Sequence, residues 1–185
     1  MLNIEKYLQD YQRLIFSDNA IEKIQTLGSE LSAGEDCKFG RVLIFGNGAS
    51  ASIASHFALD MTKQGKFISK CFHDPALLTA FSNDYGYENA LSKIFESYRQ
   101  DGDLVIVVST SGESENIVRV QQTALNAGHY TVSFTGRDKN NRTKLESNIS
   151  FWVDSHAYNI VENTHSIWLT TLVDFVIGKS VYEVS

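Results

Sequence analysis

At 185 residues, 43% of them hydrophobic, the chain can bury one ordinary domain core without disulfides or metal to staple it. Its formal net charge of -6 argues against direct nucleic-acid binding over a broad surface and leaves small anions as ligands for local pockets. Cys37 and Cys71 lie far apart with no paired spacing, which excludes a disulfide framework or a cysteine zinc site as the natural reading and fits a reducing cytoplasm.

The start, Met1-Leu2-Asn3-Ile4-Glu5-Lys6, carries polar and acidic residues where a signal peptide needs an unbroken apolar stretch. No apolar run approaches membrane-spanning length, so a soluble cytoplasmic protein is expected. From Ile4 to Leu31 apolar residues recur at helical spacing and predict two amphipathic helices broken near Ser17-Asp18-Asn19, an N-terminal helical arm over 1–35. Arg41 to Phe45 reads as a short buried strand, closed by Gly46-Asn47-Gly48 and followed by a helix from Ser50 to Lys63. Phe67 to Cys71 supplies another strand. Leu104 to Val108 runs into Ser109-Thr110-Ser111-Gly112-Glu113-Ser114 and a helix from about Glu113 to Asn126. Tyr130 to Phe134 and Asn148 to Val153 complete five strands, and a last helix carries Glu162 and His165. With one proline, Pro75, and no linker or repeat, a single domain over 1–185 is expected.

Near-continuous apolar strands alternating with helices predict an α/β fold, a three-layer α/β/α sandwich around a five-stranded parallel sheet. Such sheets bind ligands at the carboxyl ends of their strands. The loops after Phe45, Val108 and Phe134 are therefore the candidates for chemistry. The loop from Ser109 to Ser114 offers four hydroxyls within six residues, a glycine that lets the backbone approach a ligand, and a helix start behind it. Backbone N–H groups and the positive end of a helix dipole favour a phosphate there. The competing reading is that these are only capping and turn residues, and Gly46-Asn47-Gly48 can equally be a plain turn. A dinucleotide fold is disfavoured because the third glycine position after Gly46 and Gly48 is Ala51.

The pairing of strand-Gly46-Asn47-Gly48-Ala49-Ser50 with strand-Ser109-Thr110-Ser111-Gly112-Glu113-Ser114 resembles the flavodoxin-like SIS (sugar isomerase) fold of phosphosugar isomerases and phosphosugar-binding regulators. The arm, Ser55-His56-Phe57-Ala58, Ser82-Asn83-Asp84-Tyr85-Gly86-Tyr87 and the last helix are similar to phosphoheptose (sedoheptulose 7-phosphate) isomerases. The resemblance implies that Ser50, Ser109, Thr110, Ser111 and Ser114 contact the phosphate, that Asn47 and Asp84 lie near the sugar, and that the protein is a homotetramer with shared sites.

Interconverting a ketose and an aldose phosphate moves a proton between adjacent carbons through an enediol, which requires a base at carbon and an acid at oxygen. The family's His and Glu four residues apart on the helix after the first strand correspond here to His56 and Asp60. Aspartate keeps the carboxylate with a shorter reach. On the last helix, an alignment anchored on His165 puts Glu162 where the family has Gln and Thr170 where it has a second catalytic His. The expected catalytic residues are Asp60, Glu162 and His165. His56, Asp60, Glu162 and His165 have ligand types acceptable to zinc. Two functions remain open at this stage, an isomerase and a catalytically silent phosphosugar-binding regulator; the missing second His favours the latter. His129 reads as a solvated loop residue, and Trp152 and Trp168 as packing residues.

Overall fold

The computed structural model describes residues 2–32 and 37–181. Two helices, α1 (Ile4–Ile15) and α2 (Ala20–Ser32), form the arm, and the last residues of the expected 1–35 span lie outside the described part. The break falls where the sequence places it: Asp18 and Asn19 both adopt left-handed backbone, φ 55° and 54°, which ends one helix and starts the next. The Asp18 carboxylate then accepts from the Trp152 backbone N–H at 2.7 Å and from Lys23 Nζ at 2.6 Å, while Lys23 also donates to the Ser150 carbonyl. The arm thus satisfies the outer edge of the last strand.

Five parallel strands follow: β1 (Arg41–Gly46), β2 (Ser69–Cys71), β3 (Asp103–Ser109), β4 (Tyr130–Gly136) and β5 (Ile149–Val153), in the order β2-β1-β3-β4-β5. Helices α3 (Gly48–Lys63), α4 (Pro75–Tyr85), α5 (Tyr87–Tyr98), α6 (Glu115–Asn126), α7 (Arg142–Glu146) and α8 (Tyr158–Ile177) connect and cover them. Alternation along the strands feeds two cores. Leu104, Ile106 and Val108 pack with α2, α3 and α8, whereas Val105 and Val107 pack with α5 and α6. This is the expected three-layer sandwich.

β2 is shorter than the expected Phe67 to Cys71 strand. Lys66 sits at φ 52°, and the Thr62 hydroxyl bonds both the N–H and the carbonyl of Ser69, so pairing begins only there. His129 corrects the sequence reading: it is buried, with Nδ1 against the Asp103 carbonyl at 3.2 Å and its ring edge-on to Phe95. Trp168 is a core residue that donates Nε1–H to the Ile15 carbonyl, tying α8 to α1. No helix among the described residues is long and apolar enough to cross a membrane.

The strand order reverses direction between β1 and β3, so the loops that leave their carboxyl ends diverge to opposite faces of the sheet and open a crevice.

Candidate functional site

That crevice is lined by Asn47, Gly48, Ala49 and Ser50 from the start of α3, by Val108, Ser109, Thr110, Ser111 and Ser114 from the β3 loop, and by Tyr158 and Glu162 from α8. It holds about 270 Å³. The β1 end is shaped by Gly46, where a Cβ would lie 2.7 Å from the backbone of Ser50; only glycine lets α3 start so close to its strand. On the β3 side the chain turns at Gly112, φ 66°, where a Cβ would overlap the Asn141 amide. Thr143 at the start of α7 donates its N–H and its hydroxyl to the Gly112 carbonyl at 3.2 and 3.1 Å. Arg142 grips the Glu113 carboxylate through Nε and its backbone N–H, both at 2.8 Å. Arg142 also donates from Nη2 to Glu115 Oε2 at 3.0 Å, and the two acids, Glu113 before Glu115, hold its pKa above the ordinary value.

The loop hydroxyls are arranged to donate. Ser109 Oγ accepts the Gly112 N–H and Ser111 Oγ accepts the Glu113 N–H, both at 3.1 Å. Each hydroxyl then has its hydrogen free to point away from the loop. Ser114 is the N-cap of α6 yet makes no capping bond. A dianion such as a phosphate monoester needs donors and cannot donate to acceptors, so this set fits it, and the N-termini of α3 and α6 add uncompensated N–H groups. Thr110 Oγ1 lies 3.5 Å from Glu162 Oε1, which brings a carboxylate to the same cavity.

The structure brings together Asn47, Ser50, Ser109, Thr110, Ser111, Ser114 and Glu162 of the expected residues. Tyr158 was not anticipated; one helical turn before Glu162 in α8, it is findable only by the i, i+4 spacing. Asp84 does not line this cavity; it is exposed near the end of α4 and accepts from Asn83 at 2.9 Å. His56 and Asp60 pair with each other at 3.0 Å, His56 on an exposed part of α3, also outside this lining.

His165 requires a correction. It is fully buried among Phe134 and Trp168, with Nε2 3.0 Å from the Thr135 carbonyl and Nδ1 without a partner. Burial pushes its pKa down to about 4, the Thr135 contact opposing only in part. The ring does not line the cavity. The zinc set of His56, Asp60, Glu162 and His165 is accordingly not assembled within one chain. Among the described residues no three His, Cys, Asp or Glu side chains converge as metal ligands. Thr170 donates its hydroxyl to the Ser166 carbonyl at 2.9 Å, inside its own helix.

An open parallel α/β sheet with a hydroxyl-rich, anion-accepting crevice at its switch point defines a class of phosphate-ligand domains. The SIS domain model matches residues 16–136, and the chain belongs to that family. It is 34% identical over 143 residues to the phosphoheptose isomerase of Helicobacter pylori strain P12, covering 74% of each chain. It is 30% identical over 172 residues to a probable phosphoheptose isomerase of Thermoplasma acidophilum, covering 89% of this chain and 92% of the other. The solved phosphoheptose isomerase from Francisella tularensis superposes with a TM-score of 0.80 at 25% identity over 95% of both chains.

Proposed function

We propose that this protein is a phosphosugar aldose-ketose isomerase acting on sedoheptulose 7-phosphate or a related sugar phosphate. The observation that carries the reading is the crevice itself, in which hydroxyl donors and two helix N-termini stand opposite the Glu162 carboxylate. The phosphate would sit among Ser50, Ser109, Thr110, Ser111 and Ser114, leaving the carbonyl end of the sugar toward Glu162. Glu162 removes the proton from the carbon beside the carbonyl, the C–H electron pair forms the enediol double bond and the carbonyl oxygen takes a proton from a second acid-base group. On collapse the neighbouring hydroxyl gives a proton back to that group and Glu162 returns its own to the former carbonyl carbon. The His56-Asp60 pair is such a second acid-base group, and it reaches the sugar only if a neighbouring copy supplies it. A homotetramer with shared sites is therefore part of the proposal. Exposed apolar side chains on α1 and α8 support it, including Leu8, Ile167 and Phe175. Two unpaired cysteines suit a cytoplasmic protein in a heptose biosynthetic route. Among the described residues of one chain no three expected zinc ligands converge; a zinc site would need His56 and Asp60 of a neighbouring copy beside Glu162, and the proposed step uses none.

The second reading, a silent phosphosugar-binding regulator, is favoured by Thr170 alone, whose hydroxyl cannot replace an imidazole. Incubation with sedoheptulose 7-phosphate separates them. Appearance of the aldoheptose phosphate establishes the isomerase. Thermal stabilisation by the sugar phosphate without conversion establishes the regulator, since a ligand bound only by the folded state raises its stability.

A further inference from the structure

Both helices that point at the crevice begin with residues that ordinarily cap, Asn47 for α3 and Ser114 for α6, and neither side chain makes a capping bond. For Asn47 this needs a cause. An asparagine at an N-cap normally accepts from a backbone N–H two or three positions on. Elsewhere in this chain the rule holds: Asn3, Asp74 and Asn141 accept from Lys6, Leu77 and Lys144, each at 3.0 Å. Asn47 has the extended cap backbone, φ -121° and ψ 149°, and the same oxygen.

Asn116, in the first turn of α6 and almost wholly buried, takes that oxygen away. Asn116 Nδ2 donates to Asn47 Oδ1, and Asn47 Nδ2 donates to Asn116 Oδ1, both at 2.9 Å. Tyr87 at the start of α5 donates its hydroxyl to the same Asn47 Oδ1 at 3.1 Å. An amide oxygen has two lone pairs, and both are engaged. None is left for the Ser50 N–H.

We infer that Asn116 is a positioning residue that holds the Asn47 amide off its own helix, so that the first-turn N–H groups of α3 stay uncapped and face the ligand. The inference rests on the phosphate reading of the crevice. Its content is a competition: in the absence of Asn116 the Asn47 oxygen rotates onto the Ser50 N–H and occupies a donor that a phosphate oxygen otherwise receives. The amide pair also spans the two loops, fixing the start of α3 against the start of α6 across the crevice.

The test uses the full chain and inorganic phosphate as the probe, with affinity read by calorimetry and folding by thermal unfolding. Asn116→Ala is expected to weaken phosphate binding about fivefold, the equilibrium value of one capping bond. The double variant Asn116→Ala/Asn47→Ala is expected to bind more tightly than Asn116→Ala, because no side chain remains to compete for the Ser50 N–H. A merely structural role for Asn116 predicts no such rescue, and a double variant no tighter than Asn116→Ala overturns the inference. Tyr87→Phe, at an exposed site, should weaken binding in the same direction by a smaller factor. Should Asn116→Ala not fold, Tyr87→Phe decides, and unchanged affinity there overturns the inference. If the unaltered chain itself fails to bind phosphate, the phosphate reading falls and this inference with it; if it binds and Asn116→Ala binds equally, only this inference falls.

Discussion

Ser109 and Ser111 each use a lone pair on the loop backbone and keep a hydrogen for the ligand, so their removal subtracts two donors to an anion. Such hydrogen bonds contribute about 1.5 to 3 kcal/mol each. Ser109→Ala with Ser111→Ala should therefore weaken phosphate binding at least tenfold while the chain stays folded, as measured by calorimetry and circular dichroism. Unchanged affinity would remove the phosphate from this loop. Glu162→Gln keeps shape and removes the base, so turnover should fall at least a hundredfold with phosphate affinity retained. The serine loop was legible because hydroxyls crowded before a helix start have a chemical meaning at any register. His165 was not, because its spacing from Glu162 is compatible with a shared site, and only the packing of α8 shows that it lies in the stripe with Val161, Trp168, Leu169 and Leu172. That burial has a measurable consequence. With its folded pKa pushed down to about 4 from 6.5, His165 is neutral in the fold, and the unfolded chain binds the extra proton between those values. Its contribution is fully present above about pH 6.5 and is lost as pH falls toward 4, by about 3 kcal/mol in all. Urea midpoints at pH 7 and pH 4.5, compared between the unaltered chain and His165→Met, should show the steeper acid loss in the unaltered chain; equal slopes would refute it.

At the scale of elements, β1, β3, β4 and β5 and the helices of the arm were legible because their apolar periods are long and their breaks carry distinct residues. The helices α4, α5 and α7 were not. Asp74 caps α4 with Pro75 at its first position, but Gly86, φ 80°, splits what would otherwise read as one helical stretch. The short α7 has no period to detect, yet it determines the site, since Asn141 and Thr143 close on Gly112 from behind the phosphate loop. Gly112→Ala meets both a left-handed backbone and the Asn141 amide. It should cost about 1 to 3 kcal/mol of stability and abolish phosphate binding. Gly128→Ala is the control: it shares positive φ but has open space around the added Cβ, so it should cost only about 1 kcal/mol and leave binding intact. Equal effects of the two substitutions on binding would deny α7 its role in shaping the loop.

The whole molecule exposes more apolar surface than its own layers can cover. On α1, Ile4 and Leu8 are 69% and 59% exposed, with Phe16 just beyond at 65%; on α8, Ile167 and Phe175 are 39% and 40% exposed. The arm is not loose, because Tyr11 donates to the Asn159 carbonyl at 3.2 Å and accepts from Asn163 Nδ2 at 2.9 Å, and the Trp168 indole holds Ile15. An apolar strip fixed against α8 is the surface that the proposed assembly would cover. The proposed homotetramer would bury it and would place a neighbouring copy's His56-Asp60 pair at a crevice that the pair does not line within its own chain. Light scattering at micromolar concentration should therefore give four copies. Leu8→Glu with Phe16→Glu should yield a smaller species that is still folded, because neither side chain belongs to the buried core. That species should bind inorganic phosphate with nearly native affinity, since every donor in the crevice comes from one chain, while its isomerase turnover should collapse. A monomeric unaltered chain would contradict the assembly, and full turnover in the dissociated variant would remove the neighbouring copy from the chemistry and leave Glu162 to act without it.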